Sequence, residues 1–253
     1  MMKHHLIWVS LLGFLVFACT STTGDSRKES GLAEAVQIQG EALLLQGDYT
    51  AALSKLLEAR RMTPENPYLL NSLGLAYMGK KRDDLAVSAF EKALDLKPDY
   101  TEALNNLGAA FLRQKKWDQA ILAFEEVLDD LLYPTPQYPL SNLGWAYLGK
   151  QDCPRAESYF SQALDVVPGF VTASHGLALV YLQSRQVDKA VAFLTNALRR
   201  LPDNALLHAD LARAYEAGGR TAQARQSWQK VRRYARENSE LAQTARKRLS
   251  ELD

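Results

Sequence analysis

The chain has 253 residues, of which 47% are hydrophobic and 23% charged, the proportions of an ordinary globular protein. Lys and Arg number 30 and Asp and Glu 29, so the net charge is +1, which argues against a nucleic-acid binder that works by bulk charge. With two cysteines and nine prolines, the chain is neither a disulfide-stapled miniprotein nor a low-complexity polymer. No apolar run reaches the roughly 18 residues that a membrane-spanning helix needs.

The first 18 residues have the pattern of a secretory signal. Lys3 supplies a positive start, and a mostly apolar run follows at residues 6–18. An apolar core of this length is too short to span a bilayer comfortably, and it is typical of a segment that is removed after export. The sequence therefore predicts an exported protein.

The end of this segment, Val16-Phe17-Ala18-Cys19, resembles the bacterial lipobox. The resemblance implies that residues 1–18 are a lipoprotein signal peptide and that Cys19 is acylated as the first mature residue. Phe17 departs from the small residue usual at its place, and a plain cleaved signal or an uncleaved anchor are the alternatives. Because Thr20 rather than Asp follows the cysteine, the resemblance favours a lipid anchor on the periplasmic side of a bacterial outer membrane.

Residues 19–32 continue as a polar stretch rich in Ser, Thr and Gly, without apolar periodicity. We interpret this lipidated stretch as a flexible tether. A coil of about 13 residues has a reach of roughly 20 Å, so it would hold the folded part just off the membrane.

From residue 33 onward one pattern recurs six times. A small residue stands at the eighth position of each copy, large residues at the eleventh and twenty-fourth, and alanine at the twentieth. The spacing is 34 residues except between Leu107 and Leu143, where it is 36. The pattern resembles the tetratricopeptide repeat. The copies are 33–66, 67–100, 101–136, 137–170, 171–204 and 205–238.

The resemblance implies an all-α, right-handed superhelical solenoid of six helix-turn-helix repeats. Small residues let neighbouring helices approach closely, and the large residues fill the space beside them. Residues 239–253 carry Leu241, Ala245 and Leu249 at helical spacing among charges, which predicts a capping helix at the end of the stack. Prolines near the ends of four repeats stop one helix before the next begins; they are Pro64, Pro98, Pro168 and Pro202.

The two-residue insertion has a sequence of its own, Asp129-Asp130-Leu131-Leu132-Tyr133-Pro134. This junction resembles that of the type IV pilus pilotins (the PilF/PilW/Tgl group), outer-membrane lipoproteins with six such repeats. The resemblance implies a scaffold that binds the pilus secretin subunit, promotes its localisation or assembly, and so serves pilus biogenesis. A longer loop without special function is the neutral interpretation. An adaptor for peptidoglycan hydrolases or synthases is the alternative function.

Catalytic patterns are missing from the sequence. It contains no phosphate-binding loop, no Cys or His cluster at metal-ligand spacing and no G-x-S-x-G motif. His175 and His208 fall on neighbouring first helices, but two ligands without a third make a poor zinc site. We therefore expect no enzyme activity, no cofactor, no metal and no small-molecule substrate.

A repeat stack of this kind presents a concave groove built from its first helices. Its middle is predicted to be apolar and aromatic and its ends charged, which suits a helix or an extended apolar segment of a protein partner. The fifth positions carry no lysine, so the groove does not match the repeats that clamp acidic chaperone tails. Asn71 and Asn105 are expected to fix backbone groups of the partner, although the twelfth-position residues can equally serve packing between repeats. The predicted groove residues are Tyr68, Asn71, Leu75, Met78, Asn105, Leu112, Tyr138, Trp145, Leu148 and Leu179.

Overall fold

A computed structural model describes residues 22–252 of the chain, with side chains from residue 30 onward. The predicted signal peptide and Cys19 lie outside the described residues. The described residues form thirteen helices: α1 (Thr22–Leu45), α2 (Tyr49–Met62), α3 (Pro67–Gly79), α4 (Asp83–Leu96), α5 (Thr101–Arg113), α6 (Trp117–Asp129), α7 (Gln137–Gly149), α8 (Cys153–Val166), α9 (Val171–Gln183), α10 (Val187–Arg200), α11 (Ala205–Ala217), α12 (Thr221–Tyr234) and α13 (Glu240–Glu251).

The helices form six consecutive helix-turn-helix pairs followed by a single last helix, so the predicted all-α solenoid is confirmed. Each helix packs against the next one along the chain, and the first helices of adjacent pairs also contact one another. Within the described part of the chain, helices further apart in sequence make no packing contact. Stability therefore comes from stacking neighbours rather than from one central core.

The small residues at the eighth position have the role that the sequence predicts. A Cβ atom added at Gly74 would lie 2.3 Å from the ring of Phe90, and one added at Gly144 would lie 2.6 Å from the ring of Phe160. Both phenylalanines are fully buried. The absence of a side chain on the first helix thus makes room for the large residue of the second.

Each first helix ends in the same tight turn. In the third pair, for example, Lys116 N donates to Phe111 O at 2.9 Å and Lys115 N donates to Leu112 O at 3.0 Å, the two bonds of a Schellman motif. This motif requires a left-handed residue after the helix. In all six pairs that residue is the fifteenth of the repeat; the six are Gly47, Lys81, Lys115, Gln151, Arg185 and Gly219.

The structure corrects the prediction that the whole of residues 19–32 forms a flexible tether. The sequence predicts coil up to residue 32, but α1 already begins at Thr22. Apart from Gly24 and Gly31, residues 22–32 have no residue that disfavours a helix strongly. Extending a helix that the first pair already forms costs far less than nucleating a new one.

The last helix closes the carboxyl-terminal end of the stack. Ala242 and Ala245 of α13 are buried against the preceding pair. Arg248 donates to both carboxylate oxygens of Glu216, at 3.2 and 2.7 Å, and Trp228 Nε1 donates to Glu216 Oε1 at 2.7 Å. The predicted capping helix is therefore present and is fixed by polar as well as apolar contacts.

Candidate partner-binding groove

The predicted groove residues all lie on α3, α5, α7 and α9, the first helices of the four middle pairs. Adjacent helices in this set contact each other, so the residues share one continuous surface. Tyr68 and Tyr138 are exposed and Asn71 is buried. The other seven are half-buried: Leu75, Met78, Asn105, Leu112, Trp145, Leu148 and Leu179.

Three predicted residues meet in a single cleft. Leu112 of α5 and Trp145 and Leu148 of α7 line an open cavity of about 420 Å³, together with Arg113, Trp117 and Gly149. That volume is typical of sites that accept apolar groups of a ligand. The cleft is mostly apolar, so it suits large apolar side chains of a partner segment better than a charged peptide.

Arg113 supplies the one charge at this cleft. Its Nε donates to Asp83 Oδ1 at 2.7 Å, which ties α5 to the start of α4. A Cβ atom added at Gly149 would lie 2.8 Å from the Trp117 ring. Gly149 therefore lets Trp117 pack closely under α7 and form part of the cleft wall.

Trp145 is held in place from two sides. Its ring lies 5.4 Å from the Phe160 ring in an edge-to-face arrangement and 5.5 Å from the His175 ring. His175 Nδ1 in turn lies 2.7 Å from Asp210 Oδ2, and Arg213 Nη1 donates to Asp210 Oδ1 at 3.0 Å. The exposed part of Trp145 is therefore a rigid element of the groove.

A second aromatic group lies on α3 and the turn before α5. Tyr68 and Tyr100 pack edge to face with ring centroids 5.2 Å apart, and Lys97 Nζ lies 5.2 Å from each centroid. The hydrogen bond from Lys97 to Tyr68 raises the pKa of Lys97, and burial raises the pKa of Tyr100. A cation over two rings marks this end of the groove.

The structure corrects the expected role of Asn71. Its Nδ2 donates to Tyr100 Oη at 3.3 Å, and its Oδ1 accepts from Asn106 Nδ2 at 3.0 Å. Both ends of the amide thus form hydrogen bonds inside the protein, so Asn71 braces α3 against α5. The sequence could not show this, because Tyr100 and Asn106 are 29 and 35 residues away.

Asn105 and Ser141 differ from Asn71. They occupy the fifth position of adjacent pairs, and Asn105 Oδ1 and Ser141 Oγ are buried atoms that lack a hydrogen-bond partner within residues 30–252. Buried polar atoms normally have partners. Because both atoms have almost no exposed surface, they lie beneath the groove, and the role in binding that the sequence suggests for Asn105 stays a prediction.

The predicted charges at the groove ends are engaged within the protein. Glu41 Oε1 accepts from Ser72 Oγ at 2.7 Å and from Gln37 Nε2 at 2.8 Å. At the other end Arg213 pairs with Asp210 and Glu216 with Arg248. The apolar middle is therefore the part of the groove whose side chains are not taken up by such ion pairs.

Leu131 and Leu132 form an apolar surface that the groove prediction missed. They lie in the inserted loop between α6 and α7 and are 94% and 90% exposed. Asp130 holds the loop, because Oδ1 accepts from Leu132 N at 3.0 Å and Oδ2 accepts from Thr101 Oγ1 at 3.0 Å. In the sequence, this exposed loop was indicated by the insertion of two residues and by Leu132, which stands where four other repeats carry a proline.

The two histidines do not form a shared site. His208 Nε2 lies 2.8 Å from Pro202 O and its ring stacks on Tyr234, whereas His175 pairs with Asp210. Among residues 22–252 no group of three potential metal ligands comes together. The described helices also include none with the length and apolar character to cross a membrane.

Sequence profiles described as "Tetratricopeptide repeat" match residues 39–101, 84–139 and 141–205, and a second profile of the same description matches 186–249. The chain belongs to the tetratricopeptide repeat family. Members of this family are generally non-catalytic scaffolds, and their repeats imply protein partners. A comparison with curated proteins finds no significant match.

Solved structures with the same fold include two pilus proteins. The chain is similar to PilF of Pseudomonas aeruginosa with a TM-score of 0.69 and 20% identity, over 87% of this chain and 99% of that one. It is similar to PilW, described as a widely conserved type IV pilus biogenesis factor, with a TM-score of 0.75 and 23% identity, over 84% and 97%. A tetratricopeptide repeat protein of Parabacteroides merdae gives 0.67 and 21%, over 87% and 90%. At these identities the likeness shows the fold.

Proposed function

We propose that this tetratricopeptide repeat protein is a pilotin: an outer-membrane lipoprotein whose groove binds the type IV pilus secretin subunit and promotes its localisation or assembly. The pilus assignment rests on the junction at residues 129–134, whose sequence resembles that of pilotins, together with the likeness to PilF and PilW over 97–99% of their lengths. A shared number of stacked pairs supports a shared groove length. The exposed Leu131 and Leu132, at the junction whose sequence resembles pilotins, add a feature that simple repeat packing does not require.

The groove supplies the recognition in this proposal. The cleft between Leu112, Trp145 and Leu148 takes apolar side chains of the client, and a rigid aromatic anchor such as Trp145 is the type of residue that dominates binding energy. A client segment with apolar residues on one side fits this arrangement.

In this proposal the lipid anchor at Cys19 determines where the protein lies. Acylation of Cys19 places the solenoid at the periplasmic side of the outer membrane, because two or more acyl chains are enough for stable attachment. In the Cys19→Ser variant we expect the protein to lose radiolabelled palmitate and to leave the membrane fraction. Retention of the variant in outer membranes would overturn this part of the proposal.

The client is tested by crosslinked capture from native membranes, with the full chain as bait and mass spectrometry as the readout. Leu148→Asp places a charge in the cleft, and Leu122→Asp places the same charge on an exposed leucine of α6 that does not line the cleft. We expect secretin subunits as the main product for the wild type and Leu122→Asp, and about ten-fold fewer for Leu148→Asp. Retained capture in Leu148→Asp would overturn the groove assignment. Capture of peptidoglycan hydrolases or synthases instead would replace the pilotin by the adaptor.

A further inference from the structure

The first helix leaves one apolar edge unpartnered. Within the described residues α1 packs only against α2 and α3. Ile38 is 58% and Leu45 92% exposed, and Leu32, Ala35 and Ala42 are exposed as well. These five residues, spaced three or four apart, lie on one face of the helix. We call this face the α1 edge.

The other repeats show which helix packs on the equivalent face of their first helices. The tenth position, exposed in the first repeat as Ala42, is buried in the other five; the equivalents are Ala76, Ala110, Ala146, Val180 and Ala214. The third position, exposed as Ala35, is likewise buried in all five others. In each of those repeats the second helix of the preceding pair packs on the first helix. The α1 edge is therefore a stacking surface without its neighbouring helix.

Ile38 adds apolar surface to the α1 edge at a position that is not apolar and large in any other repeat. At the same sixth position the other repeats have small or polar residues, which are Ser72, Asn106, Asn142, Gly176 and Asp210. A large apolar residue stands only where no helix of the described chain covers it. Exposed apolar residues in a contiguous row mark interaction surfaces.

We propose that the α1 edge pairs two copies of this chain, with their first helices antiparallel about a two-fold axis. Four residues of the row are symmetric about the midpoint between Ile38 and Gln39, and Ile38 of each copy faces Gln39 of the other. In an antiparallel pair Leu32 of one copy meets Leu45 of the other, and Ala35 meets Ala42. The alanines let the helices approach, and the leucines close both ends of a contact about 20 Å long.

Charge favours a second copy over a lipid surface. No residue of the row is charged, so two copies meet without like-charge repulsion. A helix that binds anionic headgroups carries Lys and Arg beside its apolar face, whereas the basic residues of α1, Arg27 and Lys28, precede the row and none lies between Leu32 and Leu45. Its two carboxylates there, Glu34 and Glu41, are seven residues apart on one face, where Glu41 accepts from Ser72 of α3.

The capped end of the solenoid determines the symmetry. Because α13 covers the last pair, with Ala242 and Ala245 buried under it, a copy cannot extend the stack head to tail. Pairing through two α1 edges closes after two copies, as isologous contacts do. The dimer is independent of the pilotin proposal, since the edge lies apart from the cleft at Trp145.

Cysteine crosslinking of the full chain in its own membranes tests the pairing. Gln39→Cys, in a Cys153→Ser background, places a thiol next to the two-fold axis. Gln119→Cys is the matched control, since Gln119 is an exposed glutamine on α6. Under mild oxidation we expect a disulfide-linked band of twice the mass for Gln39→Cys only. Absence of the band, an equal band for the control, or a product of another mass would overturn the proposal.

A second substitution makes the test specific for the edge. Adding Ile38→Glu to the Gln39→Cys chain buries a charge in the pair and is expected to reduce the dimer band by about ten-fold or more. Adding Leu122→Glu, a change at another exposed aliphatic residue (68% exposed), should leave the band unchanged. Both residues are exposed, so folding is preserved, and resistance to protease checks this. An equal band in the two double variants would refute the α1 edge as the contact.

Discussion

His175 Nδ1 lies 2.7 Å from Asp210 Oδ2, a contact that joins α9 to α11. The Asp210 carboxylate is fully buried, with 0% exposure, and its second oxygen accepts from Arg213 at 3.0 Å. A buried carboxylate is tolerated only when such partners replace water. Because His175 also packs against Trp145, one buried acid supports the histidine that positions the aromatic residue of the groove.

Asp210→Ala is therefore expected to lower the free energy of unfolding by about 2–3 kcal/mol, since it removes the partner of two polar side chains at a buried place. Asp118→Ala is the comparison, because Asp118 pairs with Lys150 while remaining largely exposed, and such pairs contribute about 0–1 kcal/mol. Urea unfolding followed by helical circular dichroism measures both. Similar losses in the two variants would contradict the role assigned to Asp210.

Phe160 is enclosed between two glycines of successive first helices. Added Cβ atoms would lie 2.6 Å from its ring at Gly144 and 2.2 Å at Gly176. The ring cannot move away from one without approaching the other. Gly176→Ala should therefore destabilise the protein by about 1–3 kcal/mol, the usual cost of overpacking. The measurement is the urea midpoint.

Gly31→Ala is the control for that substitution. Gly31 lies within α1, and a Cβ atom there would have no neighbour within 4 Å. Alanine is favoured over glycine in a helix by about 1 kcal/mol, so this variant should be slightly more stable than the wild type. If Gly176→Ala were stabilising too, the enclosure of Phe160 would be wrong.

These residues also show which contacts can be predicted from the sequence and which cannot. Periodicity was sufficient to place Gly74 and Gly144 beneath large residues, because their role repeats in every copy. Gly176 and Asp210 stand at the sixth position, which in the other repeats carries Ile38, Ser72, Asn106 and Asn142, so the repeat pattern does not predict their roles. Asp210 contacts His175, 35 residues away, and Gly176 contacts Phe160 of the preceding helix, so both contacts are known only once neighbouring helices are placed side by side.

The same distinction applies to the groove. The row of twelfth and ninth positions predicted Leu112, Trp145 and Leu148, and the structure brings these together at one cleft. The sequence did not show that Asn71 is used internally, that the inserted loop exposes Leu131 and Leu132, or that α1 extends back to Thr22. Each depends on long-range contacts or on the solvent exposure of a particular loop.

The left-handed residue after each first helix gives another test. Gly47 has φ of +78° with no atom within 4 Å of an added Cβ, so Gly47→Ala should lose about 1 kcal/mol through backbone strain alone. Lys115 adopts the same region with φ of 59°, and Lys115→Gly should be neutral or gain up to about 1 kcal/mol. Thermal unfolding compares the two. A stabilising Gly47→Ala would contradict the turn geometry.

His208 predicts part of the pH dependence of stability. Burial lowers the pKa of His208 below its usual 6.5, outweighing its bond to Pro202; Lys230 acts in the same direction as burial and Asp203 against it. As the pH falls below about 6.5, the unfolded chain binds a proton at this residue before the folded protein does. Stability is therefore lost progressively on acidification from pH 7.5 to 5.

His208→Phe isolates this contribution, because it keeps a ring to stack on Tyr234 and removes the titrating group. Its unfolding free energy should fall less between pH 7.5 and 5 than that of the wild type, even if it starts lower. Urea titrations at several pH values give the comparison. Parallel pH profiles for the two proteins would exclude His208 as the source.

In the proposed function, the cleft at Trp145 and Leu148 binds an apolar segment of the pilus secretin. Site-specific photo-crosslinking in intact cells tests it most directly, with a photoreactive residue at Leu148 and, as the control, at Leu122. We expect a crosslink to the secretin subunit from position 148 and none from position 122. Equal crosslinks from both positions, or a crosslink from position 148 to a peptidoglycan enzyme alone, would contradict it.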